Sequence, residues 1–452
     1  MLTWMTAGAL AADPVVARLV EQSLASEEPW AELVELCDDI GPRLAGSRNL
    51  DRAIRWARKK MLDDGLAVEL QPVDVPHWVR GPESAAILAP VAEPLDVLGL
   101  GGSVPTPEGG LEAQVVVARD WDELEALGTS VKGRIVVYDA PWQGYGDTVG
   151  YRWAGADRAA KLGAVGVLVR SVTDTELALP HTGAMGYGAE DGRIPAAAIT
   201  PEAASRFRRW TDRQRTVSVR LSLQSETKAP AASANVVGDV RGATKPDEVV
   251  LLSCHLDSWD VGTGAQDDGA ACVAVMEAVA QIAALDVKPA RTVRAVLFTN
   301  EENGLAGGKA YPLSNTDLKH VAAIESDTGM GGTLGFRVDG RKHTGEATVA
   351  GWFPFVQGLL EPLSAHGVTT VETGYSGADI GPLLDAQGGL GLGVAHDMSG
   401  YWAIHHTEAD TIDKIDPADL RTEVALLAAT AWQLANADAV PGARPKPPQG
   451  AE

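Results

Sequence analysis

Four short apolar runs constrain this chain more than any other feature. Val249–Cys254, Thr292–Thr299, Val321–Glu325 and Leu390–Ala395 are almost unbroken apolar stretches, and helix-like segments lie between the earlier of them. A strand with one wet face alternates apolar and polar residues. A run that is apolar at nearly every position must be buried on both faces. Strands of this kind alternating with helices imply an α/β fold, a mostly parallel central sheet with helices on both faces. Asp416-Pro417 then opens a final helix to about Asn436, with proline at its first helical position.

Upstream the texture differs. Residues 14–65 read as helical; Leu50, Ile54, Ala57 and Met61 form a helical stripe over Asn49–Asp64, and Gly65 stops it. The turn-rich Asp39–Ser47 precedes this helix, and strand-like segments run from Ala67 to about Leu88. From Pro90 to Leu223, strand signals dominate at Ala113–Ala118, Arg134–Tyr138, Ala164–Val169 and Pro195–Ile199, with a helical stretch at Ala154–Leu162. This marks an inserted β-rich module, residues 90–223, inside a domain made of 13–89 and 224–438. Residues 224–233, polar and alanine-rich, read as a linker, and the proline-bearing tail 439–452 as disordered. No internal repeat is visible.

Residues 1–12, MLTWMTAGALAA, end in the small-x-small pattern Ala9-Leu10-Ala11 and are expected to be the remnant of a signal peptide, with an ordinary apolar arm as the alternative. The chain is therefore expected to be exported, periplasmic or secreted. No apolar run reaches the roughly 18 residues that a membrane span needs. The net charge of −23 repels phosphate backbones and argues against nucleic-acid binding. Three cysteines, Cys37, Cys254 and Cys272, cannot build a disulfide framework and are expected to be buried free thiols, although one pair could bridge.

Chemistry concentrates where the apolar strands end, the edge at which open α/β sheets bind ligands. Val249–Cys254 leads into His255-Leu256-Asp257, and Asp267-Asp268 follows before a helix. Thr292–Thr299 leads into Glu301-Glu302, Val321–Glu325 into Asp327, and a late loop carries His405-His406-Thr407 and Asp410. Each piece alone is an ordinary cap or surface pair. Gathered on one edge, the carboxylates repel unless cations lie among them. Imidazole and carboxylate donors suit a pair of zinc-like ions, and Co²⁺ or Mn²⁺ also accept such sites. HExxH, GxSxG, GxGxxG and Walker patterns are absent from strand–turn–helix contexts.

HLDSWDVGTGAQDDGA, FTNEENGLAGGKAY, ESDTG and HHTEADT resemble the M28 family of co-catalytic zinc peptidases, in its carboxypeptidase Q branch. The stretch VKGRIVVYDAPWQGYGDTVGYRWAGADRAAKLGAVGVLVRS, with PHTGAMGY and IPAAAIT, resembles that branch's protease-associated (PA) domain. The resemblance implies that His255 and Asp327 hold one ion and that Asp267 bridges. Glu302 and His406 complete the second ion, with His405 as the ligand if the register is off by one. It makes Glu301 the general base, Asp257 the residue orienting His255, and Asp410 a support for the His406 loop. It implies a di-zinc exopeptidase for short unblocked peptides, dipeptides in that branch, and a homodimer. Tyr375, Asp379, Tyr401 and His181 are candidate substrate contacts, His181 from the inserted module. That module either covers the site, mediates dimerisation, or does both. The alternatives are a metal-dependent hydrolase or acyltransferase for a non-peptide amide, and a non-catalytic binding protein on the same scaffold.

Overall fold

The computed structural model describes residues 13–188, 192–329, 331–340 and 346–443. The expected signal remnant and the tail from 444 onward lie outside them. Two sheets of eight strands each organise the chain. In the larger one, β1 (Ala67–Val79), β2 (Glu226–Val240), β3 (Lys245–His255), β4 (Arg291–Phe298), β5 (Lys319–Glu325), β6 (Thr333–Asp339), β7 (Thr370–Gly374) and β8 (Leu390–His396) are ordered β1-β2-β4-β3-β5-β8-β6-β7. Its centre, β4-β3-β5-β8, is parallel, while β1-β2, β2-β4 and β8-β6 pair antiparallel. The doubly buried runs read from the sequence are these central strands; every residue of β4 and β8 is buried.

Helices cover both faces. One face packs against helices Pro14–Ala25, Arg48–Asp63, Ala270–Ala283 and Pro417–Asn436, the other against Ala306–Ser314 and Gly381–Gln387. Local chemistry sets the helix ends. The Ser47 hydroxyl accepts from the Leu50 amide at 3.1 Å, and the Asp416 carboxylate accepts from the Ala418 amide at 2.8 Å. Buried Leu50, Ala53, Ile54, Ala57 and Met61 form the inner stripe of Arg48–Asp63.

The inserted module leaves the larger sheet after β1 and returns at β2, and those two strands pair with each other from Ala67↔Asp239 to Val79↔Glu226. The second sheet already includes the strand Glu83–Ala89, so it starts upstream of the change in texture at Pro90. Helices Tyr145–Lys161 and Pro201–Asp212 flank it, each packed into its own core.

Two expectations are corrected. Residues 224–233 are not a linker: most of that span lies in β2, hydrogen-bonded along β1. Its polar, alanine-rich composition reflects the exposure of that part of the two-stranded ribbon. Cys254 and Cys272 are not free thiols but a disulfide, with Cα atoms 5.3 Å apart. The strand end and the first turn of the following helix dock at bridging distance. Cys37 is free and buried.

Leu44, Trp78 and Trp259 pack where the module meets the larger domain, and the Arg80 guanidinium pairs with Asp260 there. Gly101 of the module lies flat against Trp259; an added Cβ would sit 2.0 Å from the indole Cη2. Gly101→Ala is therefore expected to cost about 1–3 kcal/mol through overpacking. A thermal melt checks this, and an unchanged midpoint would contradict it.

Candidate metal centre

The strand ends deliver their side chains to one point. His255 closes β3, Glu301 and Glu302 follow β4, Asp327 follows β5, and Asp267 sits in the irregular turn Ala265–Gly269 before helix Ala270–Ala283. His255 Nε2 lies 3.2 Å from Asp267 Oδ1 and 3.3 Å from Asp327 Oδ1. On the other side, His406 Nε2 lies 3.2 Å from Asp267 Oδ2 and 3.2 Å from Glu302 Oε2. The two oxygens of Asp267 thus face different histidines.

These contacts call for positive charge, from a bound cation or from the imidazole rings. His255 Nδ1 lies 2.9 Å from the Asp257 carbonyl oxygen, which can only accept, so Nδ1 carries the proton. In the neutral ring Nε2 is then a lone pair aimed at two carboxylate oxygens. His255 Nε2, Asp267 Oδ2 and Glu302 Oε1 are all buried without a hydrogen-bond partner. Donor atoms held about 2.0–2.1 Å from one zinc ion in a tetrahedron stand about 3.3 Å apart. The separations on either side of Asp267 match that spacing, so these residues fit a metal on each side. Two of the buried His/Asp/Glu groups able to hold an ion are His255, Asp267 and Glu302, and Asp267, His405 and His406.

In the metal-free protein the rings themselves carry the positive charge: against the cost of burial, Asp267 and Asp327 raise His255 well above its ordinary range, and Glu302 and Asp267 raise His406 to about 9. Burial disfavours the charged form of Asp267, but His255 and His406 outweigh it and hold the carboxyl well below its ordinary range. Burial, reinforced by Asp327, pushes Glu301 well above the ordinary range, and burial with Asp267 brings Glu302 up to about 7.

The supports are only partly those expected. The ring of His255 is oriented by the backbone carbonyl of Asp257, while its Nδ1 stands 4.0 Å from the Asp257 carboxylate. That carboxylate instead accepts from the amides of Glu301 at 3.1 Å and Glu302 at 3.3 Å, fixing both glutamates. Asp410 lies on the histidine loop but clamps the Asp267 turn. It accepts from the amides of Ala265, Gln266 and Asp267 at 3.0, 2.7 and 3.2 Å. Burial raises its carboxyl to about 7.

His405 is the more distant histidine, with Nε2 3.6 Å from Asp267 Oδ2 and its ring stacked on His406. Tyr375 and Tyr401 line a cavity of about 480 Å³ over the centre, Tyr375 largely exposed and Tyr401 buried. Asp379 and His181 do not line it. Asp379 is buried with both carboxylate oxygens unpartnered, and its amide donates to Glu325. His181 is buried behind His405.

Several contributors were not singled out from sequence. The fully buried Arg43 guanidinium donates to the carbonyls of Gly41, Leu256, Thr263 and Gly264, tying the Asp39–Ser47 loop to both ends of the 256–264 loop that joins His255 to the Asp267 turn. Its one trace was a cation among Gly, Pro and Leu in a turn. Arg152 and Tyr145 of the module, with Arg337 and Glu325, also line the cavity, and no local pattern marks them.

Residues 235–431 match the family described as peptidase family M28. The chain is similar to carboxypeptidase Q of Mus musculus, 38% identical over 408 residues that cover 89% of this chain and 84% of the relative. Among solved structures it is similar to a peptidase M28 precursor from Shewanella amazonensis, with TM-score 0.88, 37% identity and coverage of 96% and 99% of the two chains. The zinc aminopeptidase BSAP of Bacillus subtilis, at 19% identity and TM-score 0.65 over 92% of this chain and 95% of its own, shares the fold.

Asp410→Asn removes one acceptor oxygen and turns an amide group toward the turn that carries Asp267. It is expected to cost about 1–3 kcal/mol by leaving a buried N–H unpaired. Denaturant unfolding of the metal-free protein measures this, and wild-type stability would contradict it.

Proposed function

Because this chain belongs to peptidase family M28, a metallopeptidase related to carboxypeptidase Q, we propose that it is an exported di-zinc exopeptidase that hydrolyses short unblocked peptides, dipeptides among them. The observation that carries the two-ion reading is Asp267, whose two oxygens face His255 and His406 separately. His255, Asp327 and Asp267 would hold one ion, and His406, Glu302 and Asp267 the other. Zinc there would supply Lewis acidity toward the scissile carbonyl and make an attacking water easier to deprotonate.

Glu301 follows β4 and lines the cavity, while its neighbour Glu302 reaches His406. In this reading one glutamate ligates while the other faces the substrate. Glu301 takes the proton from water and returns it to the leaving amine. Asp257 holds both glutamate amides, so the base and the ligand keep their relative position.

The cavity also suggests a place for a free carboxylate end: Arg152 and Arg337 line it and offer guanidinium groups. A cavity of about 480 Å³ suits a short peptide better than a folded chain. The Cys254–Cys272 disulfide supports an oxidising compartment. Among the described residues no helix is long and apolar enough to cross a membrane.

Hydrolysis of free dipeptides, N-acetyl dipeptides and aminoacyl-nitroanilides, with and without chelator, tests the reading. Chelator-sensitive cleavage of free dipeptides with resistance of blocked ones is expected. A fully metallated protein that cleaves none of them would overturn it. Glu301→Gln is expected to lower kcat by about 10²–10⁴-fold with metal content kept. Wild-type turnover in that variant would remove Glu301 from the base role. Asp267→Ala is expected to lose metal, read by elemental analysis, and full retention of metal would contradict the bridge.

A further inference from the structure

The two histidines of the centre are supported from different parts of the chain. His255 Nδ1 is held by the Asp257 carbonyl, within the domain that carries the centre. His406 Nδ1 lies 3.3 Å from the carbonyl of Thr182, which belongs to the inserted module. Arg152 Nη1 lies 3.4 Å from the same nitrogen, so Nδ1 is held between a carbonyl acceptor and a guanidinium donor, and these contacts set the orientation of the ring that turns Nε2 toward Asp267 and Glu302.

The contact is one of a set. The Thr182 amide donates to the His406 carbonyl at 3.0 Å. The ring Nδ1 of His181 donates to the His405 carbonyl at 2.7 Å. The Thr173 hydroxyl donates to the Trp402 carbonyl at 2.7 Å. Tyr145 stacks on Trp402 with centroids 4.7 Å apart. Arg152 Nη1 donates to the Thr182 carbonyl at 3.3 Å, which fixes that acceptor from the other side. The module thus takes the backbone carbonyls of residues 402, 405 and 406 in the loop that presents His406. His181 and Thr182 are themselves anchored: the His181 amide donates to Ser171, and the Thr182 hydroxyl donates to the Gly99 carbonyl at 2.8 Å.

We infer that the inserted module is a structural part of one metal position: His181, Thr182 and Thr173 position His406, so the ion held by His406 depends on the docked module while the ion held by His255 does not. This rests on the two-ion reading proposed above. His181 and Thr173 are positioning residues, since neither lines the cavity. Losing a support of this kind costs about 10–100-fold in metal affinity. The two ions should therefore differ in their sensitivity to changes made in the module.

The test is zinc content of the full-length protein across a chelator titration, for wild type, His181→Ala, His181→Gln and Thr173→Val. Wild type is expected to hold two ions. His181→Ala is expected to release one of them at about 10–100-fold lower chelator strength and to keep the other at wild-type affinity. Added Zn²⁺ should restore its kcat, and His181→Gln, whose amide can donate to the same carbonyl, should recover part of the affinity. Thr173→Val keeps the side-chain shape and decides the matter if His181→Ala does not fold. Equal weakening of both ions, or wild-type affinity for both in His181→Ala and Thr173→Val alike, would overturn the inference and leave the two-ion reading standing. A wild type that holds one ion would instead remove the two-ion reading itself.

Discussion

The structure depends on the crowding of carboxylates around Asp267. His255 and His406 each stand 3.2 Å from one of its two oxygens, Asp327 stands 3.3 Å from His255 and Glu302 3.2 Å from His406, and Glu301 lines the same cavity. Buried acids repel one another and resist desolvation, so a chain can bring them together only by fixing each from behind. That fixing is visible throughout. Asp257 holds the glutamate amides, Asp410 holds the Asp267 turn, and Arg43 binds the carbonyls of two loops. Three buried atoms of the centre, His255 Nε2, Asp267 Oδ2 and Glu302 Oε1, have no hydrogen-bond partner, and hydrogen-bonded residues brace them from behind.

Topology makes the bracing possible. The parallel strands β4, β3 and β5 release their chains at the same edge, so side chains distant in sequence arrive together. The module is spliced between β1 and β2, which pair along nearly their whole length. Its entry and exit are held side by side, and this fixes where it swings over that edge. It reaches the histidine loop and sets the Thr182 carbonyl against His406.

What was legible in the sequence follows from the same physics. The central strands were plain because double burial leaves a continuous apolar run, as in Val249–Cys254. The final helix was plain because Asp416 and Pro417 mark its start locally. Residues 224–233 misled because a long ribbon with exposed faces has the composition of a linker. β6 and β7 near the sheet's edge are short, and β7 is half exposed, so their pattern is weak. The Cys254–Cys272 bridge was hidden because its geometry comes from docking a strand end on a helix. The candidate ligands could be named from their order and types, because they follow strand ends. Their supports could not: the work of Arg43, of the Asp257 carboxylate and of His181 exists only after distant loops have met.

The central claim is that Asp267 stands between two metal ions. Anomalous scattering at the zinc edge from crystals of the metal-loaded protein tests it most directly. Two peaks about 3.5–4 Å apart are expected, one against His255 and Asp327, the other against His406 and Glu302, with one Asp267 oxygen on each. A single peak, or a second peak held by His405 in place of His406, would contradict the account.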